Sequence, residues 1–268
     1  IDIYPYLTDT QATQLAGQFN ISHSASDVVQ ALFLNNDVEP FNNEKVRQAV
    51  CFALDNDATN GFVSGGNGTV ISTAMLPTLR DYYIDLNSVY GTKADIEKAK
   101  SLLAEAGYPN GFDMTITVPA NYQFHVETAQ VVAEQLKAVG INAAINTVEW
   151  NTWLSECYNG RNYQSTISGI TCDMTPGYLL NRFVSSSPKN FINFNDEQYD
   201  EEYKKAQEAT DLKEKAGHYS NLQHIITEKA GSAFIQVTPI TVAINKKLSG
   251  YKFYPVYVQD MSSIYFTN

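Results

Sequence analysis

KADIEKAKSLLAEAGYPNGFDMTITVPANYQFHVETAQVVAEQLKAVGINAAINTVEW, residues 93–150, decides the fold. Residues 93–107 repeat apolar side chains at helical spacing and stop at Gly107, with Pro109 just beyond, which predicts an amphipathic helix closed by a glycine. Residues 113–119 then alternate, so Met114, Ile116 and Val118 share one face of a strand. Residues 126–140 predict a second helix, again ending at glycine, and residues 141–150 a second strand. A short helix over 152–158 and a third strand over 163–171 complete a β-α-β-α-β rhythm, the pattern of sheet strands joined by crossover helices.

Working outward, residues 43–55 carry Val46, Ala49, Val50, Ala53 and Leu54 on one helical face, with Asn43 placed as N-cap. Residues 61–76 are rich in Gly and Ser before turning apolar, which predicts a loop leading into an extended segment; no phosphate-cradling GxGxxG or GxxxxGK[ST] spacing occurs there. Residues 196–230 predict two polar helices with Tyr199, Tyr203, Ala206, Tyr219, Leu222 and Ile226 turned inward. Apolar, β-rich sequence returns at 232–244. The first 37 residues and the tail, set apart from this middle unit, are expected to belong to a different lobe.

The 268 residues carry a net charge of −11 with arginine only at positions 47, 80, 161 and 182, a poor basis for neutralising phosphates, so nucleic acid is not expected as a partner. No apolar run approaches the roughly 18 residues of a membrane span. Cys51, Cys157 and Cys172 make neither a CxxC motif nor an even set, so at most one disulfide is open to them. Residues 1–6 lack the basic and apolar regions of a secretory signal, which leaves either a removed signal or an artificial start. His23, His125, His218 and His224 are scattered, and His218 and His224 lie about 240° apart around a helix, so no metal site is expected. No GxSxG elbow accompanies them. The paired acids near residue 197 sit where a helix start favours negative charge. At 12% aromatic content some rings can line a pocket, although most are expected in the core.

Four stretches carry a family resemblance. EPFNNEKVRQAVCFALD (39–55), ADIEKAKSLLAEAGYPNGFDMTITVP (94–119), VVAEQLKAVGINAAINTVEWNTWL (131–154) and FINFNDEQYDEEYKKA (191–206) follow, in order and spacing, the signature segments of the family 5 extracellular solute-binding proteins. These are the oligopeptide, dipeptide and nickel binders of ABC importers. The resemblance implies an α/β, periplasmic-binding-protein-like (type II) lobe with a mixed sheet and crossover helices, plus parts of a second lobe. Residues 1–37 would be a partial first lobe and hinge, 38–231 the second, ligand-binding lobe, and 232–268 a return across the hinge. Since the match starts midway through a typical member, most of the first lobe would be absent.

By the same resemblance SGITCDMTP (168–176) is similar to the family's ligand-anchoring segment, with Asp173 at the place of an aspartate that holds a peptide's α-ammonium. A cap on the turn before Thr175 and Pro176 is the competing role for Asp173. Ile170 stands where many peptide binders have tryptophan, and Ile167 and Cys157 where some have arginine. Trp150 matches a family aromatic, facing the cleft or the core. Cys172 is either partly exposed beside Asp173 or buried. The expected ligand-binding set is thus Asp173, Cys172, Thr171, Ile170 and Trp150, with no catalytic residue, cofactor or metal. The expected function is capture of a small organic ligand, a peptide first, between two lobes for delivery to an ABC permease. Such a protein would work as a monomer outside the cytoplasm, in the periplasm or lipid-anchored at the outer face of the cell membrane. A nickel chelate, an oligosaccharide or a signalling peptide are the alternatives on the same fold, and a cleft hydrolase using Asp173 and Cys172 is the remote one.

Overall fold

The structure, a computed structural model, describes residues 1–173, 175–254 and 258–267. The chain opens with β1 (Ile3–Pro5), α1 (Asp9–Leu15) and the 16-residue β2 (Phe19–Leu34). There follow α2 (Glu44–Ala53), α3 (Asn56–Ser64), β3 (Thr69–Val70), α4 (Asn87–Tyr90) and α5 (Ile96–Glu105). Next come β4 (Asp113–Pro119), α6 (Gln123–Leu136), β5 (Asn142–Val148) and α7 (Trp150–Thr152), which widens into a π-helix over Trp153–Asn159 before β6 (Ser165–Thr171). Then α8 (Pro176–Leu180), α9 (Glu197–Glu208), α10 (Leu212–Glu228), β7 (Ser232–Asn245), β8 (Leu248–Ser249) and β9 (Tyr265–Phe266).

Several strands and helices lie where the sequence places them, for local reasons. The side chain of Asn43 accepts from the amide of Lys45, that of Asp95 from Lys98, that of Asp196 from Tyr199 and that of Asp211 from Glu214. Part of the acidic surplus therefore satisfies helix N-termini, where the dipole also favours it. Gly140, with φ +82°, ends the turn after α6, and a Cβ there would lie 2.8 Å from the Asn110 carbonyl oxygen.

Residues 61–76 differ from expectation. Instead of a loop, α3 runs through Gly61 to Ser64, because the Asp55 side chain caps it and its buried Thr59 and Val63 give it an inner face. A buried face outweighs the cost of about 1 kcal/mol that glycine imposes on a helix interior. The helix stops at Gly65, whose φ is +56°.

The main sheet runs β1-β7-β2-β6-β4-β5, with β3 on β7. β4 pairs parallel with β5 and β6, while β2 pairs antiparallel with β6 and β7, which makes it mixed. Period-two alternation sorts side chains onto two buried faces. Val29, Ala31 and Phe33 enter one core with Phe183, Tyr199, Leu222 and Phe234. Leu32 and Leu34 enter the other, with Ile116, Val118, Val132 and Ile235. So 29–34 and 232–237 are shared by both cores of the α/β unit, and the β2–β7 ladder breaks register between Ala25 and Val29.

Two buried polar groups tie this unit together. Arg47, 6% exposed, donates from Nη1 to the Phe41 carbonyl (2.8 Å), from Nη2 to Lys229 (3.0 Å) and from Nε to Ala230 (3.1 Å). It thereby closes the C-terminal end of α10 with a cation, the sign that end prefers. On the other side Gln30 Nε2 donates to His125 Nδ1 (2.9 Å) and Thr128 Oγ1 (3.0 Å). Gln236 Nε2 donates to Gln30 Oε1 (2.9 Å), and Ser64 Oγ to Gln236 Oε1 (3.0 Å). This polar chain links α3, β7, β2 and α6.

Burial pushes the His125 imidazole down to about 4, against an ordinary 6.5. The unfolded chain therefore binds a proton near pH 6.5 that the native chain refuses until about pH 4, so stability must fall as pH drops through that window. By linkage His125 contributes about 3 kcal/mol to that fall. Urea melts of the wild type and of His125→Gln at pH 7 and pH 4.5 check this: the wild type should lose more stability than the variant, and equal losses would contradict a neutral native imidazole.

Candidate functional site

At the C-terminal ends of β5 and β6 the surface sinks into a depression of about 280 Å³. Its floor is Ser168, Gly169, Ile170 and Thr171 of β6, and its walls come from α7 with the following π-helix and from α8 with the residues just beyond. The wall residues come together because the crossover segment after β5 must pass over the sheet before β6 begins. Thr175 and Pro176 then start α8 with proline at its first helical position, a preorganised start.

Aromatic rings shape the pocket. Trp150 and Trp153 stack at 5.2 Å with planes 9° apart, and Tyr122 meets Trp150 edge-on at 5.3 Å. Trp153 is anchored below by its indole N–H, which donates to Thr166 Oγ1 at 2.9 Å. Tyr158 packs on Phe191 at 5.3 Å. Arg182 donates from Nη1 to the Tyr158 hydroxyl (3.2 Å) and from Nη2 to the Tyr178 hydroxyl (3.3 Å). Its guanidinium carbon lies 5.2 Å from the Tyr178 ring centre, and Lys189 Nζ lies 3.9 Å from the same centre. α8 is held in place from behind by Tyr199 of α9, fully buried, whose hydroxyl donates to the Leu180 carbonyl at 2.8 Å.

The expected residues divide. Trp150, Ile170 and Thr171 line the depression together. Cys172 is buried in the core below, at 1% exposure, so of its two readings the structure shows the buried one; its amide donates to the Asp27 carbonyl at 2.8 Å. Asp173 is exposed on the connection from β6 to α8. Its Oδ1 accepts from the Thr175 amide at 3.1 Å, which is the turn-capping contact, and Oδ2 has no protein partner among the described residues. The neighbouring Met174 lies outside those residues. Trp153, Tyr158, Tyr178 and Arg182 also line the depression, and the sequence reading did not assign them to a site. The four-residue spacing of Tyr178 and Arg182 after Thr175-Pro176 was the one usable signal, since it puts both on one side of a helical turn.

Buried thiols do not extend this chemistry: desolvation pushes Cys157 up to about 11 and Cys51 up to about 12, so neither is a thiolate nucleophile near neutral pH. Among the described residues no group of three His, Cys, Asp or Glu side chains is arranged to hold a metal ion, and no helix is long and apolar enough to cross a membrane.

Comparison with known proteins gives the arrangement a context. The model for "Bacterial extracellular solute-binding proteins, family 5 Middle" matches residues 1–191. The oligopeptide-binding protein AppA of Bacillus subtilis is 29% identical over 238 residues, 82% of this chain and 43% of that protein. Heme-binding protein A of Haemophilus influenzae is 26% identical over 235 residues, 85% of this chain and 42% of that protein. The periplasmic binding protein DppA from Helicobacter pylori, solved with the peptide STSA, superposes with a TM-score of 0.86 at 26% identity, over 100% of this chain and 53% of that one. The chain thus spans about half the length of the relatives it matches.

Proposed function

Because the chain belongs to the bacterial extracellular solute-binding proteins of family 5, we propose that it forms one ligand-binding lobe of the substrate-binding component of an ABC importer. The peptide it captures is handed to a membrane permease. The observation that carries this reading is the aromatic-walled depression at the C-terminal ends of β5 and β6, where open α/β sheets bind ligands. Two of the relatives support a peptide: one is named an oligopeptide binder and the other was solved with a tetrapeptide. The protein works outside the cytoplasm, in the periplasm or lipid-anchored at the outer face of the membrane, as a monomer that binds without catalysing. In this reading residues 1–37 belong to a partial first lobe and hinge, residues 38–231 form the ligand-binding lobe and residues 232–268 return across the hinge.

In this reading Asp173 holds the peptide's α-ammonium with Oδ2 while Oδ1 keeps the turn, and Trp150, Ile170 and Thr171 contact the residue that follows. Asp173→Asn preserves the turn, since asparagine caps about as well, and removes only the charge. Calorimetric titration of the intact protein with trialanine should show binding weakened by about 1.5–3 kcal/mol at an unchanged melting temperature. Unaltered affinity would leave Asp173 a turn residue and nothing more.

A further inference from the structure

We propose that the depression takes a neutral aromatic side chain of the ligand ending in a hydrogen-bonding group, and that Ser168 selects it; that this side chain belongs to a peptide rests on the reading above. β6 carries the hydroxyls of Ser165, Thr166, Ser168 and Thr171, and their fates differ. Ser165 Oγ donates to the Thr115 carbonyl at 2.9 Å, and Thr166 Oγ1 accepts from the Trp153 indole at 2.9 Å. Thr171 is exposed at the end of the strand. Ser168 is 4% exposed, yet its hydroxyl makes no hydrogen bond among the described residues, and it lies in the floor of the depression. The large majority of buried side-chain polar atoms are paired. What remains to this one is a partner arriving from the depression.

Period-two alternation puts Ser168 on the strand face of Thr166 and Ile170, the face on which Trp153 packs. The depression around it is lined by Trp150, Tyr158 and Tyr178, with Phe191 tilted against Tyr158 at 5.3 Å and against Trp153 at 6.1 Å. Rings attract a further ring, edge-on or offset, beyond what buried area alone gives. An aliphatic side chain fills the same space and forgoes that attraction. A cationic side chain also suits ring faces, but Arg182 lines the same depression with its guanidinium carbon 5.2 Å from the Tyr178 ring centre, so a second cation is repelled. Among side chains drawn to rings, the neutral aromatic one is left.

The tip decides which aromatic. A phenyl edge pressed onto the floor covers Ser168 and strands its hydroxyl, which costs affinity. A phenol meets it instead, since both hydroxyls can donate and accept. Sites that hydrogen-bond a ligand hydroxyl discriminate strongly against the analogue lacking it. At about 280 Å³ the depression lies below the usual size of a site enclosing a whole drug-sized ligand, and it suits one side chain. With Asp173 on the α-ammonium, that side chain comes from the residue that follows.

The test is calorimetry on the intact protein with Ala-X-Ala peptides, X being alanine, leucine, phenylalanine or tyrosine. The wild type should bind the tyrosine peptide at least tenfold more tightly than the alanine and leucine peptides, and at least threefold more tightly than the phenylalanine peptide. Ser168→Ala should bring tyrosine level with phenylalanine, and Ser168→Thr, which keeps a hydroxyl, should keep part of the difference. Each ratio is read within one variant, so a loss of folded protein cancels. A tyrosine advantage below tenfold over leucine or below threefold over phenylalanine, or one that survives Ser168→Ala, overturns the inference and leaves peptide capture intact. Should none of the peptides bind, the peptide reading fails, and p-cresol set against toluene decides, followed by NMR through the indole N–H signals of Trp150 and Trp153. Shifts that saturate with p-cresol, exceed those with toluene and fade in Ser168→Ala sustain the aromatic site without the peptide. Equal shifts, or none, overturn both.

Discussion

Arg47→Ala is expected to lower the unfolding free energy by about 4 kcal/mol, among the largest effects a single substitution could have here. The guanidinium donates to three carbonyls, those of Phe41, Lys229 and Ala230, and it is 6% exposed, so water cannot simply replace it. Alanine would leave those acceptors buried without donors, remove the cation from the C-terminal end of α10 and open a cavity between α2 and β7. Arg47→Lys supplies one charged group for three divergent acceptors and should recover only a minor part. Urea unfolding followed by circular dichroism measures both. A loss below 1 kcal/mol for Arg47→Ala would mean that the carbonyls find other donors.

Tyr199→Ala should cost a similar amount, about 4 kcal/mol, for a different reason. The ring is fully buried between Phe183 and Phe194, edge-on to both at 6.4 and 5.6 Å, and its removal leaves a cavity that close-packed neighbours cannot collapse into. Tyr199→Phe keeps the ring and drops only the hydroxyl bond to Leu180, so it should cost about 1 kcal/mol. The pair also reaches the site, because Leu180 and Arg182 lie on one helical stretch. In thermal melts the alanine variant should be far less stable than the phenylalanine variant, and similar melting temperatures would refute the packing account.

Legibility followed the range of the interactions. β4 was readable to the residue because Met114, Ile116 and Val118, all buried, alternate with threonines. The start of α2 at Asn43 and the end of α5 at Gly107 were readable because capping is a contact between neighbours in sequence. α3 was not, because its reason for being helical is a face buried against distant strands, while its own residues include Gly61. The site divides in the same way. Trp150, Ile170 and Thr171 could be named from motifs that mark where β5 and β6 end. Tyr158 could not, since its meeting with Arg182 spans 24 residues and depends on α8 lying beside the segment after β5, a relation that no local pattern encodes.

The π-helix over Trp153–Asn159 sets the rotational phase of the pocket wall. Its hydrogen bonds reach five residues back, as from the Gly160 amide to the Ser155 carbonyl at 2.8 Å, which makes it an α-helix with one residue inserted. Each residue of an α-helix turns the chain by about 100°. A chain shorter by one residue at this turn could close an ordinary helix and still enter β6 in register, but Tyr158 would swing a quarter-turn away from Arg182. Length at this single turn is therefore a dial that re-aims the wall while the sheet stays still, so relatives with the same strands could present different walls to different ligands.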